Sequence, residues 1–391
     1  MARKILWLFV FTSAFYSLTV GSVQATPAVT AKAAIIMDAT TGEVLYAKDA
    51  ESRRYPASTT KMMTLLVALE KGRLDDWVVA SKAAHETEGS SLYLEAGEKQ
   101  RLLDLLYGIM LVSGNDATVA VAEHIAGSVP AYARLMTQKA QEIGAVNTQF
   151  ANSSGLPDPN HYSTAHDLAR IAAYGYRTQP LFAEIVSSKR RVMPWPGKGY
   201  DREIFNENRM LWLYPGANGV KTGYTDAAGR CLVSAVKRNG LQLISVVLDS
   251  ERMWDDSIAL LDYGFGVVKA KNLLLQNQKV ADVAVLDGLE KQISLYVAQD
   301  IVVPESRNGA GNTYRLAVQK PDTIAAPVRR GDVVGTVRIL RGEEEVTVMP
   351  LLAGQDVERR SLFRLAALSA EDVWTWVKVA FARLLSDGRQ A

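Results

Sequence analysis

The stretch PASTTKMMTLLVALEKG, residues 56–72, decides how the rest of the chain is read. Met62, Leu65, Leu66 and Leu69 recur at helical spacing and Gly72 stands near the expected stop, so the pattern predicts a buried helix with Ser58 at its start. Ser58 and Lys61 are then an i, i+3 pair on one face, with Cβ atoms roughly 5–6 Å apart. Serine is a poor nucleophile until a base takes its proton, and an amine at that spacing can reach its hydroxyl. A helix start also offers backbone N–H groups and a positive dipole end, which favour a developing oxyanion.

The sequence on either side supplies a sheet. AKAAIIMDATTGEVLYAKDA, residues 31–50, holds two β-rich runs around a turn at Asp38–Gly42 and reads as a hairpin. From about Ser81 to Pro180 the pattern is mostly helical, most strongly over Leu102–Val112 and Ala117–Ile125. Strand pattern returns after Gly219. Arg230–Lys237 and Leu241–Asp249 are joined at Arg238-Asn239-Gly240, where Asn-Gly is a strong hairpin signal. A helix over Met253–Tyr263 follows. Strands from both ends with a helical block between them predict an α/β domain with a nested helical subdomain, residues 26–265.

The character changes near Gly266. Short Val/Ile-rich runs separated by Gly, Pro and Asn turns follow: Val280–Leu286, Ile293–Val297, Tyr314–Val318, Val333–Ile339 and Glu345–Met349. They predict a separate small all-β domain, residues 266–358. The two ends have their own character. Arg3 and Lys4 precede an apolar stretch, Ile5–Val20, and then Val23-Gln24-Ala25, a small-x-small end. Residues 1–25 read as a secretory signal, with an uncleaved anchor as the alternative. In residues 359–391, Leu362, Phe363, Val373, Trp374, Trp376, Val377, Phe381, Leu384 and Leu385 share one broad face of a helix. Charges interrupt it and it lacks a spanning apolar run, so it reads as an interfacial amphipathic helix. Docking of that helix on the β domain is the alternative. The expectation is an exported protein, peripheral on the extracytoplasmic face of the cell membrane.

Composition narrows the function classes. The chain has 391 residues, 48% hydrophobic and 22% charged, enough for a sizeable core. A net charge of +2 gives no basic field for nucleic acid. One cysteine, Cys231, excludes an internal disulfide framework, and its setting in CLVSAV reads as a small buried hydrophobe. His85, His124, His161 and His166 form no HExxH pair and sit in no carboxylate cluster, so a catalytic zinc site is not expected and no cofactor is called for.

Ser-x-x-Lys alone is a weak signal, because Ser234-Ala235-Val236-Lys237 repeats it. That copy falls in a predicted strand, where residues three apart point to opposite faces. Two further elements select Ser58. Ser113-Gly114-Asn115, between the two strong helices, can offer a hydroxyl and an amide; Ser306-Arg307-Asn308 repeats its pattern by chance in the β domain. Lys221-Thr222-Gly223 enters a strand before the Asn-Gly hairpin, with a cation and a hydroxyl suited to a carboxylate. Gly223 lets that strand edge approach a ligand closely.

The ordered set S-x-x-K, S-x-N, K-T-G is that of class A β-lactamases and penicillin-binding proteins. The running sequence resembles D-alanyl-D-alanine carboxypeptidases of the low-molecular-mass penicillin-binding type, serine peptidase family S11, at Ala57–Thr64, Ser113–Ala117, His161–Ala165 and Gly219–Thr225. The resemblance covers essentially the whole chain and implies a β-lactamase/transpeptidase-like fold. It implies Ser58 as nucleophile, Lys61 as its base, and Ser113 as a proton relay in acylation and deacylation. Asn115 would bind the substrate backbone, Lys221 and Thr222 the terminal carboxylate, and the Ser58 and Tyr224 N–H groups the oxyanion. The implied partners are a peptidoglycan stem peptide ending in D-Ala-D-Ala, β-lactam antibiotics and the membrane surface.

Three rival readings remain at this level. A class A β-lactamase would carry S-D-N, where this chain has Gly114, and an E-x-x-L-N element that is absent between Ser113 and Lys221; Glu142–Asn147 has the wrong spacing. A DD-endopeptidase acting on cross-links would use the same residues. A wall-binding protein that kept the fold without activity is disfavoured by the presence of both Ser58 and Lys61. His161 and His166, in a Pro/Asp/Asn-rich segment ahead of a helix starting near Thr164, read as turn residues rather than a Ser-His pair.

Overall fold

Alternation along the strands explains the central layer. Ile35 and Met37 enter one core, while Ala34 and Ile36, between and beside them, enter another. A strand buried on both faces reads as a continuous apolar run, and Ala33–Asp38 is buried throughout. The structure, a computed structural model, describes residues 25–308 and 313–360 together with Trp374, Val377 and Lys378. The expected signal and terminal helix fall almost wholly outside the described residues.

The five-stranded sheet is antiparallel, in the order Val44–Lys48, Ala33–Asp38, Leu241–Ser250, Gly229–Arg238, Ala217–Thr225. Asn239 and Gly240 both adopt left-handed φ, 50° and 83°, as a two-residue type I′ hairpin requires. Helices Lys61–Lys71 and Ala165–Thr178 cover one face, and helix Met253–Val267 covers the other through Leu260 and Leu261. The helical block expected between the strands is present, with helices Leu102–Leu111, Asn115–Ala126 and Val129–Glu142. Thr164 caps Ala165–Thr178 by accepting from Asp167 N at 3.0 Å, in line with a helix starting near Thr164. The mixed α/β architecture read from the sequence is the one observed.

The C-terminal part is all β. Its six-stranded sheet contains every run named above, as Lys279–Leu286, Gln292–Val297, Tyr314–Gln319, Val333–Arg341 and Glu344–Ala353, with Thr323–Ala325 added at one edge. A two-stranded ribbon, Val268–Leu274 with Ile301–Ser306, was not evident in the pattern. Its Val268 and Val302 join the core of the α/β domain while Leu274 and Ile301 join that of the β domain, so its burial is divided between two cores rather than following one period. Tyr314 OH also donates to Glu43 Oε2 across the two parts at 2.6 Å. Among the described residues no helix is long and apolar enough to cross a membrane.

Candidate active site

The segment that carries Ser58 is pinned before it begins. Arg54 N donates to Ser163 O at 2.8 Å, and Ser163 N donates to Arg54 O at 3.0 Å. Ala57–Thr60 then forms a 3-10 turn that runs into the α-helix Lys61–Lys71. The sequence pattern suggested one α-helix from Ser58, so the start is tighter than expected. The tighter turn helps the pairing, because at three residues per turn positions i and i+3 eclipse. Lys61 Nζ stands 2.8 Å from Ser58 Oγ.

Lys61 is fully buried and meets two more oxygens, Asn115 Oδ1 at 2.7 Å and the Ser154 carbonyl at 2.6 Å. Burial holds its pKa well below the ordinary lysine value, and the Lys221 cation pushes the same way against the Glu207 and Asp116 carboxylates. A neutral amine fits this cage without an orphan: two N–H groups donate to the carbonyl oxygens, and the lone pair accepts from the Ser58 hydroxyl. An ammonium fits it equally, donating to all three. The cage therefore accommodates Lys61 in either protonation state.

Asn115 opens its helix rather than lying in a loop. Its Nδ2 donates to Glu88 O at 2.7 Å, which orients Oδ1 toward Lys61. Next to it, the buried Asp116 carboxylate accepts from Ser91 Oγ at 2.8 Å and from Leu92 N and Leu94 N at 2.9 Å, fastening the segment 88–94 beside the site. Ser113 is buried with φ 61°, a left-handed conformation that costs a non-glycine residue about 1–3 kcal/mol. Its hydroxyl has no partner among the described residues.

Lys221, Thr222 and Gly223 lie on the edge strand of the sheet. Lys221 is buried, which brings its pKa down to about 8 against the opposing pull of Glu207. Its Nζ reaches Thr222 Oγ1 at 3.5 Å. Gly223 has a different close neighbour from the ligand expected: a Cβ there would lie 2.9 Å from Ser58 N and 3.0 Å from Ala57 Cβ. The missing side chain lets the strand lie against the Ala57–Thr60 turn. Tyr224, one residue on, is 60% exposed, and its hydroxyl donates to Asp226 Oδ1 at 2.8 Å.

Two contributors were missed in the sequence. One is the loop Ala151–Leu156. Asn152 Oδ1 accepts from Gly155 N at 2.8 Å and Ser154 N at 3.1 Å, and its Nδ2 donates to Leu156 O at 2.9 Å. The folded loop aims the Ser154 carbonyl at Lys61 and the Ser153 carbonyl at Thr64 Oγ1, which donates to it at 2.6 Å. Gly155, at φ 93°, lies so close to the Ala57–Thr60 turn that a Cβ would stand 1.9 Å from Ala57 O. The Asn-Ser-Ser-Gly signature of a tight turn was the available signal. The other is Glu207, an exposed carboxylate felt by both lysines; nothing in its local sequence marks it.

His161 is structural. Its Nδ1 accepts from Ala151 N at 3.1 Å, so Nε2 carries the proton and donates to Thr60 Oγ1 at 2.8 Å. Burial depresses its pKa to about 4. His166 pairs with Glu51 at the surface. Ser234 is a buried strand residue, Cys231 a buried thiol pushed up to about 11, and Ser306 ends the C-terminal ribbon. Glu142 pairs with Lys139 at 2.9 Å on the helix surface. The described residues include no cluster of His, Cys, Asp and Glu suited to a metal ion.

The family model for D-alanyl-D-alanine carboxypeptidase, peptidase S11, matches residues 20–252, and that for the penicillin-binding protein 5 C-terminal domain matches residues 269–359. D-alanyl-D-alanine carboxypeptidase DacF of Bacillus subtilis is 33% identical over 358 residues, covering 89% of this chain and 91% of that protein. Penicillin binding protein 5 from Haemophilus influenzae superposes with a TM-score of 0.62 at 30% identity, covering 86% of this chain and 99% of that one. The S96A mutant of Streptomyces K15 DD-transpeptidase superposes at 0.59 and 32% identity, over 62% of this chain and 100% of that one. The chain belongs to the D-alanyl-D-alanine carboxypeptidases, the S11 serine peptidases of the penicillin-binding class.

Proposed function

We propose that this carboxypeptidase removes the terminal D-alanine of peptidoglycan stem peptides through an acyl-enzyme on Ser58. Neutral Lys61 accepts the Ser58 proton as Oγ bonds to the carbonyl carbon between the two D-alanines. The Ser58 and Tyr224 N–H groups take the oxyanion. Asn115 orients the substrate backbone, and Lys221 with Thr222 holds the terminal carboxylate beside Gly223. The carbon–nitrogen bond then breaks, and the proton passes by way of Ser113 to the leaving amine. Water, activated through Lys61 and Ser113, cleaves the ester and restores the Ser58 hydroxyl. A β-lactam enters the same first step.

The observation that carries this reading is the set of three contacts on a single buried amine, Ser58 Oγ, Asn115 Oδ1 and Ser154 O. An enzyme using a glutamate-activated water needs a carboxylate at the nucleophile, and Glu142, the sequence's nearest candidate, is committed to Lys139. The test is intact mass after benzylpenicillin, run beside D-Ala release from a peptide ending in D-Ala-D-Ala. A lasting adduct, absent in Ser58→Ala, together with D-Ala release supports the reading. Rapid penicillin turnover without D-Ala release overturns it. Conversion of cross-linked dimers to monomers without D-Ala release assigns the endopeptidase activity instead.

The same proposal includes export by the signal at 1–25, a catalytic unit over 26–265, a β domain over 266–358 and a membrane-surface helix over 359–391. Truncation after Glu358 is expected to release the protein from membranes. Continued sedimentation with membranes defeats the anchor assignment.

A further inference from the structure

A cleft of about 530 Å3 opens next to the nucleophile turn, walled by Arg53, Arg54, Tyr55, Tyr162, Ala228 and Asp249. Two of its walls are continuous with the site. Tyr55 leads directly into Pro56-Ala57-Ser58, and Ala228 closes the turn that follows the Lys221–Thr225 stretch of the edge strand. The turn is set by Ala228 N donating to Thr225 O at 3.1 Å. Under the function proposed above, the terminal carboxylate sits at Lys221 and Thr222 and the scissile carbonyl at Ser58. A peptide lying along the strand then runs toward Thr225 and leaves it at Ala227–Ala228. At roughly 3.3 Å per residue, the second and third residues upstream of the scissile bond reach the cleft.

The charges in the cleft are not equally available. Arg54 is engaged, with Asp249 Oδ2 at 3.5 Å and Ser52 Oγ, to which its Nε donates, at 3.3 Å. Arg53 has no acidic partner among the described residues. Its guanidinium lies over the Tyr162 ring, 4.6 Å from the centroid, which holds the planar fork in place and leaves its N–H edge open. The Tyr162 hydroxyl is tied to Gln149 Oε1 at 3.3 Å, so the platform is fixed in turn. Asp249 cancels Arg54, and the cleft keeps one positive charge, on Arg53.

We propose that this cleft is a subsite for a carboxylate carried by the substrate peptide two or three residues upstream of the scissile bond, with Arg53 as its anchor. The ligand class is an acidic peptide, recognised by a fork-shaped cation on an aromatic ring. A neutral amide at the same place forfeits the charge-assisted hydrogen bonds.

The experiment compares, on the full-length chain, two peptides ending in D-Ala-D-Ala that differ at one acidic residue two or three positions upstream of the scissile bond, its carboxylate free in one and amidated in the other. kcat/KM for D-Ala release is expected to favour the free carboxylate about tenfold, the discrimination that one charge-assisted bond supports. Arg53→Ala is expected to bring the ratio to about one, and Arg53→Lys to leave an intermediate ratio, because charge survives while the fork is lost. A wild-type ratio of one, or a ratio that Arg53→Ala leaves intact, overturns the subsite. Failure to release D-Ala from either peptide is a different outcome and strikes the proposed reaction instead.

Discussion

Ser58-Thr59-Thr60-Lys61 and Ser234-Ala235-Val236-Lys237 carry the same pattern in two regions of the molecule. The first spans a 3-10 turn and a helix start, and its serine and lysine are 2.8 Å apart. The second lies in the strand Gly229–Arg238, where Ser234 is buried between neighbouring strands and Lys237 is exposed. Across three residues a strand reverses its side-chain direction, whereas a turn of three to four residues restores it. Spacing acquires chemical meaning only through the local backbone period.

The largest effect is expected where the first tetrad is stripped of its base. Lys61→Ala is expected to lower the rate of penicillin acylation by about 10²–10⁴-fold, the usual range for a positioned general base. Stopped-flow or intact-mass kinetics measures it, and acylation within a few-fold of wild type would place the base elsewhere.

Next comes the wedge that sets the nucleophile turn. Gly155→Ala adds a Cβ 1.9 Å from Ala57 O at a residue with φ 93°, so either the loop or the turn must move. A displacement of about 1 Å is expected to cost about 10²-fold in acylation. An unchanged rate would mean that the Ser58–Lys61 geometry does not depend on that loop.

A pH profile sharpens the same comparison. Lys221 has a folded value of about 8, depressed from 10.5, so it is cationic below that value and neutral above it. The carboxylate anchor proposed on Lys221 is therefore cationic at neutral pH and loses its charge as pH rises through about 8. KM for a peptide ending in a free carboxylate is expected to climb on that limb, while KM for the corresponding C-terminal amide stays flat. Parallel climbs for both would argue against Lys221 as the anchor.

The smallest effect belongs to the second tetrad. Ser234→Ala removes a buried hydroxyl that has no partner among the described residues. Its stability change is expected within about 1 kcal/mol and its D-Ala release within about twofold. Loss of the acyl adduct in this variant would break the comparison outright.

The fold was largely legible because its strands and helices follow their own periods. The Asn239-Gly240 hairpin, the helix begun at Thr164 and the alternating runs of the β domain each declare themselves locally. The ribbon Val268–Leu274 did not, since its burial is divided between the cores of two domains. In the same way Ser58, Lys61, Ser113, Asn115 and Lys221–Gly223 stand in readable motifs, while the Ser154 carbonyl carries no side-chain signature at all. A backbone oxygen becomes a ligand only through the direction in which its loop is folded.

By itself the sequence determined the pairing of Ser58 with Lys61, the order of the three motifs and the change from an α/β unit to an all-β one. These follow from residue type and short-range period. The tertiary structure alone decided what state Lys61 can hold, because its protonation depends on burial and on Asn115, Ser154, Lys221 and Glu207, groups brought together from distant parts of the chain. It also decided why Gly155 and Gly223 are glycines, since a clash exists only between segments that folding has placed side by side.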